Sequence, residues 1–174
     1  MRRSFSSSIT AITSLVVLLN TTQAAEKLYV QTPAGLDKGA SIDPKVKEEC
    51  AIENRVAYFV KEKTLGNFDI VPSKTLTDAG NNKVLSLNIV NVEGTGGGVW
   101  SGSKGITVQG TLKENDKVLG TFLAKRNSGG GGYWSQKKFS STCSLFENSA
   151  KEIGEDISSW LKQPSMDAKL GDMK

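Results

Sequence analysis

The sequence predicts an α+β domain: a mainly antiparallel sheet of about four to five strands with two amphipathic helices on one face. Three observations carry that expectation. Residues 83–93 and 105–125 alternate apolar and polar side chains with a period near two, as half-buried strands do. Residues 44–65 and 142–162 repeat their apolar positions every three or four residues, as helices do when one stripe faces a core. Short clusters of glycine, proline, asparagine and aspartate separate these runs.

In chain order, residues 26–31 (EKLYVQ) read as a short strand, and residues 32–42 as a loop carrying Pro33, Gly35 and Gly39. Asp43 followed by Pro44 is a helix start, because the Asp43 carboxylate accepts from the first free amides and proline at the first helical position gives up no bonded N–H. One helix is expected over residues 44–65, closed by Gly66 in the left-handed conformation. A strand over 68–71 stops at Pro72, and residues 73–80 form a turn. From residue 83 the period changes from 3.6 to 2. Leu85, Leu87 and Ile89 share one face of the next strand. Beyond it, Ile106, Val108, Gly110 and Leu112 alternate with Thr107, Gln109 and Thr111. A tight turn at Glu114, Asn115 and Asp116 returns the chain as a partner strand over 117–125. The last helix is capped by Ser141 or Thr142. Its stripe is Cys143, Phe146, Ala150, Ile153, Ile157, Trp160 and Leu161, and Pro164 ends it.

The domain boundaries follow. Arg2 and Arg3, an apolar run over residues 9–19 and small residues up to Ala24 and Ala25 have the layout of a secretory signal peptide cleaved after Ala24. The apolar run spans about 11 residues, where a membrane-crossing helix needs roughly 20. Residues 1–24 are therefore expected as the signal peptide, 25–163 as a single domain and 164–174 as a flexible polar tail. No later segment reads as transmembrane. Without Arg2 and Arg3 the chain carries 20 basic against 18 acidic residues and no basic cluster, so nucleic acid is not an expected partner. A periplasmic or secreted location makes a Cys50–Cys143 disulfide the expected state of the two cysteines.

The chain has no histidine. That removes histidine general bases, Ser-His-Asp and Cys-His nucleophiles and the commonest zinc and copper ligand sets. No cofactor or metal is expected, nor a catalytic residue set. The run GTGGGV over residues 94–99 does not complete a dinucleotide fingerprint, since Val99 holds its last position and no helix follows. Glu49 and Glu53 project, on a continuous helical wheel, into the sector of Val46, Cys50, Val56, Ala57 and Val60. Buried carboxylates there would suit acid–base work; carboxylates at the helix end paired with Lys or Arg are the structural alternative.

Two glycine-rich segments, residues 94–105 and 129–132, adjoin Trp100 and the pair Tyr133–Trp134. The strand order puts both at one end of the sheet. The last helix starts there too, and a Cys50–Cys143 bridge would bring the start of the first helix to the same place. The expected binding surface is this rim: Trp100, Tyr133, Trp134, Gly96, Gly97, Gly130 and Gly131. Helix N-termini and amide-rich loops attract anions, and aromatics attract apolar groups or sugar rings.

The hairpin ITVQGTLKENDKVLGTFLAK (residues 106–125), a glycine-rich turn and the helix CSLFENSAKEIGEDISSWL (residues 143–161) resemble uncharacterised exported domains of the bacterial envelope. Their fold is similar to the amino-terminal domain of TolB, the periplasmic domain of the curli secretion channel and penicillin-binding-protein activator lipoproteins. The resemblance implies a non-catalytic binding or accessory module of the cell envelope whose partner is a protein or envelope component. The chain lacks the lipidation cysteine that many such relatives carry. A secreted inhibitor presenting Trp100 or Trp134 to a target enzyme is the alternative.

Overall fold

The computed structural model describes residues 25–95, 102–128 and 141–173. In chain order these form β1 (Glu26–Gln31), β2 (Gly35–Leu36), α1 (Pro44–Cys50), α2 (Ile52–Thr64), β3 (Phe68–Ser73), a 3-10 turn (Leu76–Ala79), β4 (Lys83–Glu93), β5 (Lys104–Glu114), β6 (Lys117–Ser128), α3 (Thr142–Leu161) and β7 (Ala168–Gly171). Residues 1–24, and with them the expected signal peptide, lie outside the described residues.

The sheet is larger than expected and mixed rather than mainly antiparallel. Among the described residues seven strands share it, in the order β3-β1-β4-β5-β6-β7, with β2 also beside β4. Only β4, β5 and β6 run antiparallel to one another. β1 lies between β3 and β4 and is parallel to both, while β2 is parallel to β4 and β7 to β6. The antiparallel trio is the part that the alternation made visible. Leu85, Leu87, Ile89, Ile106, Val108, Leu112, Phe122 and Ala124 are all buried on its core side. They join one cluster with Leu28 and Val30 of β1 and with Val46, Ile52, Val56, Val60, Phe146, Ala150, Ile153, Ile157 and Trp160 of the three helices. The opposite strand positions, among them Ser86, Asn88, Gln109, Thr111 and Thr121 with Val84, Val90 and Leu123, form a mixed face on the side away from α1, α2 and α3.

The expected single helix over residues 44–65 is two. Ala51 takes the left-handed conformation (φ 46°, ψ 51°) between α1 and α2. Alanine favours helix, so nothing local announces the break. The break resets the helical phase, which is why Val46 and Cys50 are buried on α1 while Ile52, Val56 and Val60 are buried on α2. Glu49 and Glu53 consequently miss the core sector. Glu49 is exposed and lies 3.9 Å from Lys45, and Glu53 is half-buried. The Asp43 cap forms as expected, its Oδ1 accepting from the amides of Lys45 and Val46.

α2 and α3 approach closely at Gly154, where a Cβ would stand 2.7 Å from the carbonyl oxygen of Phe59 and 2.8 Å from its carbon. Ser158 Oγ donates to Lys63 O at 2.7 Å in the same contact. A Gly154→Val substitution should therefore cost about 2–3 kcal/mol through overpacking against immovable backbone. Urea unfolding would read this as a lower midpoint with an unchanged slope.

The segment expected as a flexible tail is partly sheet. β7 pairs with Phe122–Lys125 of β6, Leu170 is buried, and Asn127 N donates to Asp172 Oδ2 at 2.9 Å. Likewise β3 passes through Pro72 instead of stopping at it. Thr32 N donates to Ser73 O at 2.9 Å. Alternation along β3 then turns the backbone of Pro72 away from β1, to the side where β3 has no neighbouring strand among the described residues. One of the outward positions on this edge thus has no N–H to offer another chain.

Candidate functional site at the loop end of the sheet

The stems of the two glycine-rich segments stand side by side. Glu93, the last residue of β4, is in register with Gly105, and Gly105 with Asn127. Lys104 and Ser128 are likewise opposite one another. Ser149, in the second turn of α3, donates to Lys104 O at 3.2 Å and lies 3.0 Å from Ser128 Oγ, tying the helix to both stems. The start of α3 is capped by Ser141, whose Oγ accepts from Ser144 N at 3.1 Å.

The Cys50–Cys143 disulfide is formed at the same end, with the two Cα atoms 5.0 Å apart. It joins the end of α1, and hence the start of α2, to the first turn of α3. Because the helix breaks at Ala51, the bridge sits at a helix–helix corner and not within the opening turns of one long helix. Arg55 braces this corner from α2: its Nε donates to Cys50 O at 2.8 Å and its guanidinium pairs with Glu147 of α3. The segment entering α1 is held here as well, since Val92 N donates to Ser41 O at 3.0 Å.

Lys104 is the unusual residue of this end. Its side chain is fully buried, and Nζ donates to Gly102 O at 2.9 Å. Burial lowers its pKa from the ordinary lysine value. The chain packs over Gly94 (φ +108°), where a Cβ would come within 2.6 Å of Lys104 Cδ. Lysine and glycine thus close the base of the β4–β5 loop together. Extending the alternation of Ile106 and Val108 back by one step puts Lys104 on the core face, so the signal was present in the sequence. Nearby, Glu93 Oε1 lies 2.6 Å from Lys125 Nζ and accepts from Asn91.

A second charged cluster links three elements. Arg126 of β6 donates to both carboxylate oxygens of Asp156 on α3 at 2.7 and 2.8 Å, and its Nη1 lies 3.4 Å from Asp172 beyond β7. The bond to Asp156 raises the pKa of the guanidinium against the opposing effect of burial, and the charges of Asp156, Asp172 and Glu152 add to it. With Arg55–Glu147 and Lys63–Glu155, these pairs occupy the carboxylates of α3.

The expected rim residues Trp100, Tyr133, Trp134, Gly96, Gly97, Gly130 and Gly131 lie outside the described residues. What the structure describes is the platform from which their segments spring. At the other end of the sheet, a groove of about 510 Å³ opens on the face away from α1, α2 and α3, between the 3-10 turn and the β5–β6 hairpin. Val84, Ser86, Thr111 and Lys113 are among its floor residues, and Leu76, Asn82 and Asn115 help form its walls. Sequence reasoning did not single it out, because its walls belong to turns far apart in the chain. Among the described residues no group of three or more Cys, Asp or Glu side chains is placed to hold a metal ion, and no helix is long and apolar enough to cross a membrane.

The fold and this end of it define a disulfide-linked α+β domain with a mixed sheet. No protein-family model matches the chain, and no curated protein matches it. Among solved structures it is similar to the PelC dodecamer from Paraburkholderia phytofirmans, at 15% identity over 75% of this chain and 87% of that one, with a TM-score of 0.45. It is also similar to protein XCC0632 from Xanthomonas campestris, at 11% identity over 85% and 91% of the two chains, with a TM-score of 0.48. A minor lipoprotein from Acinetobacter baumannii is similar at 11% identity over 80% and 94%, with a TM-score of 0.37.

Proposed function

We propose that the chain is an exported, non-catalytic binding or accessory module of the bacterial cell envelope, released by cleavage after Ala24. Its likeness to the amino-terminal domain of TolB and to the curli-channel periplasmic domain belongs to the same proposal. The observation that supports it is the convergence, at one end of the sheet, of the Cys50–Cys143 bridge, the stems of both glycine-rich segments and the start of α3. A bridge of this kind is at home in an oxidising compartment. A braced platform beneath two loops bearing Trp100, Tyr133 and Trp134 suits recognition of a partner by loops on a rigid scaffold.

Affinity purification from envelope extracts tests this, using the mature chain and a variant with Ala at Trp100, Tyr133 and Trp134. We expect an envelope component to be retained by the first and reduced at least about tenfold with the second, the loss of one or two aromatic anchors' contribution. Equal recovery by both would sink the rim. Capture of a lytic or proteolytic enzyme that the mature chain inhibits would replace the accessory reading with the inhibitor.

A further inference from the structure

We infer that cleavage after Ala24 has to precede the docking of β1, so that a precursor which folds first resists the peptidase that would release it. This rests on reading residues 1–24 as a cleaved leader, and deepens it by fixing an order of events.

β1 begins at Glu26, so one residue separates the scissile Ala24–Ala25 bond from the sheet. β1 is an interior strand. It pairs with β3 from Glu26 opposite Phe68 onward, and with β4 from Leu28 opposite Lys83 onward. Leu28 is fully buried, and Glu26 Oε2 lies 2.9 Å from Lys83 Nζ. Extended peptides are bound through their backbone N–H and C=O groups, as an added strand is. A peptidase that grips the residues just after its scissile bond needs Glu26 and its neighbours free. In the folded domain these belong to a ladder shared with β3. Cleavage then draws on the fraction of molecules in which the start of β1 has opened, and slows in proportion to that fraction.

The test uses the full-length precursor and a second version with a six-residue Gly-Ser spacer between Ala25 and Glu26. Each is presented to a signal peptidase in detergent micelles, once folded and oxidised and once immediately on dilution from reducing urea. Near-ultraviolet circular dichroism verifies folding, and product mass identifies the bond cut. We expect the folded native-spacing precursor to be cleaved at least about tenfold more slowly than its denatured form, and the spacer to abolish the difference. Equal rates for folded and denatured precursor at native spacing would overturn the inference while leaving the leader reading intact. A difference that persists with the spacer would overturn it too, by showing that pairing of β1 is not the cause. No cleavage after Ala24 in any form would remove the leader reading and the inference with it.

Discussion

Replacing Cys50 and Cys143 together by alanine should lower the unfolding free energy by about 4–5 kcal/mol, through the loss of the bridge between them. The bridge spans a sequence separation of 93 residues. In the chain-entropy account its stabilisation comes from the conformations that so long a closed loop denies the unfolded chain. For a domain of this length the loss corresponds to a melting temperature lower by roughly 10–15 °C. Urea unfolding of the oxidised chain with and without a reductant should give the same difference as the double substitution. If reductant leaves the midpoint unmoved, the bridge contributes nothing in solution. Arg55, which bonds both to Cys50 O and to Glu147, should then hold the corner alone.

Phe122→Ala is expected to cost about 3–5 kcal/mol. Phe122 is 2% exposed. Its ring lies across the strand from Gly110 and meets Trp160 edge to face, with centroids 4.9 Å apart and planes at 69°. Gly110 has no side chain because the ring occupies the space a Cβ would need. The ring thus fills a strand position, a core site and the contact of α3 with the sheet together. The arrangement makes a sharper prediction than the single loss. Gly110→Ala should destabilise the parent chain by overpacking, yet cost less in the Phe122→Ala background, where the space is vacant. A double-mutant cycle by urea unfolding checks it, and additive penalties would contradict the packing described.

These two features also mark what was readable beforehand. Phe122 and Gly110 sit on the inward parity of two strands whose alternation is plain in the sequence, so their pairing was within reach. The bridge followed from the compartment and an even cysteine count. The parallel half of the sheet was not within reach. Alternation reports which face a residue occupies and says nothing of which strand lies beside it, so β1 between β3 and β4 is a tertiary fact. β7 is four residues with one buried side chain, Leu170, too short to show a period. Ala51 is the most instructive miss. An alanine that favours helix gives no sign of the break, so a continuous wheel projects Glu49 and Glu53 into a core they do not enter; Glu49 beside Lys45 fits the helix-end alternative instead. At the candidate site the sequence located the converging loop stems, but it passed over Lys104 and Arg126. Both lie on the inward parity of their strands, one step beyond the last apolar residue, where a charged side chain was read as the strand's end.

β1 begins and β7 ends at opposite ends of the sheet. Glu26 enters beside the β5–β6 hairpin, whereas Asp172 bonds to Asn127 next to the loop stems. The eleven residues of β4 run between these two levels, roughly 35 Å at the rise of an extended strand. A circular permutant joining the two ends would need a linker of about ten or more residues laid along the domain. A fusion partner or affinity tag after Asp172 would stand beside the loop stems, while one at residue 25 would leave them clear. Tandem copies joined end to end would each receive the chain at the hairpin end and pass it on beside the loop stems.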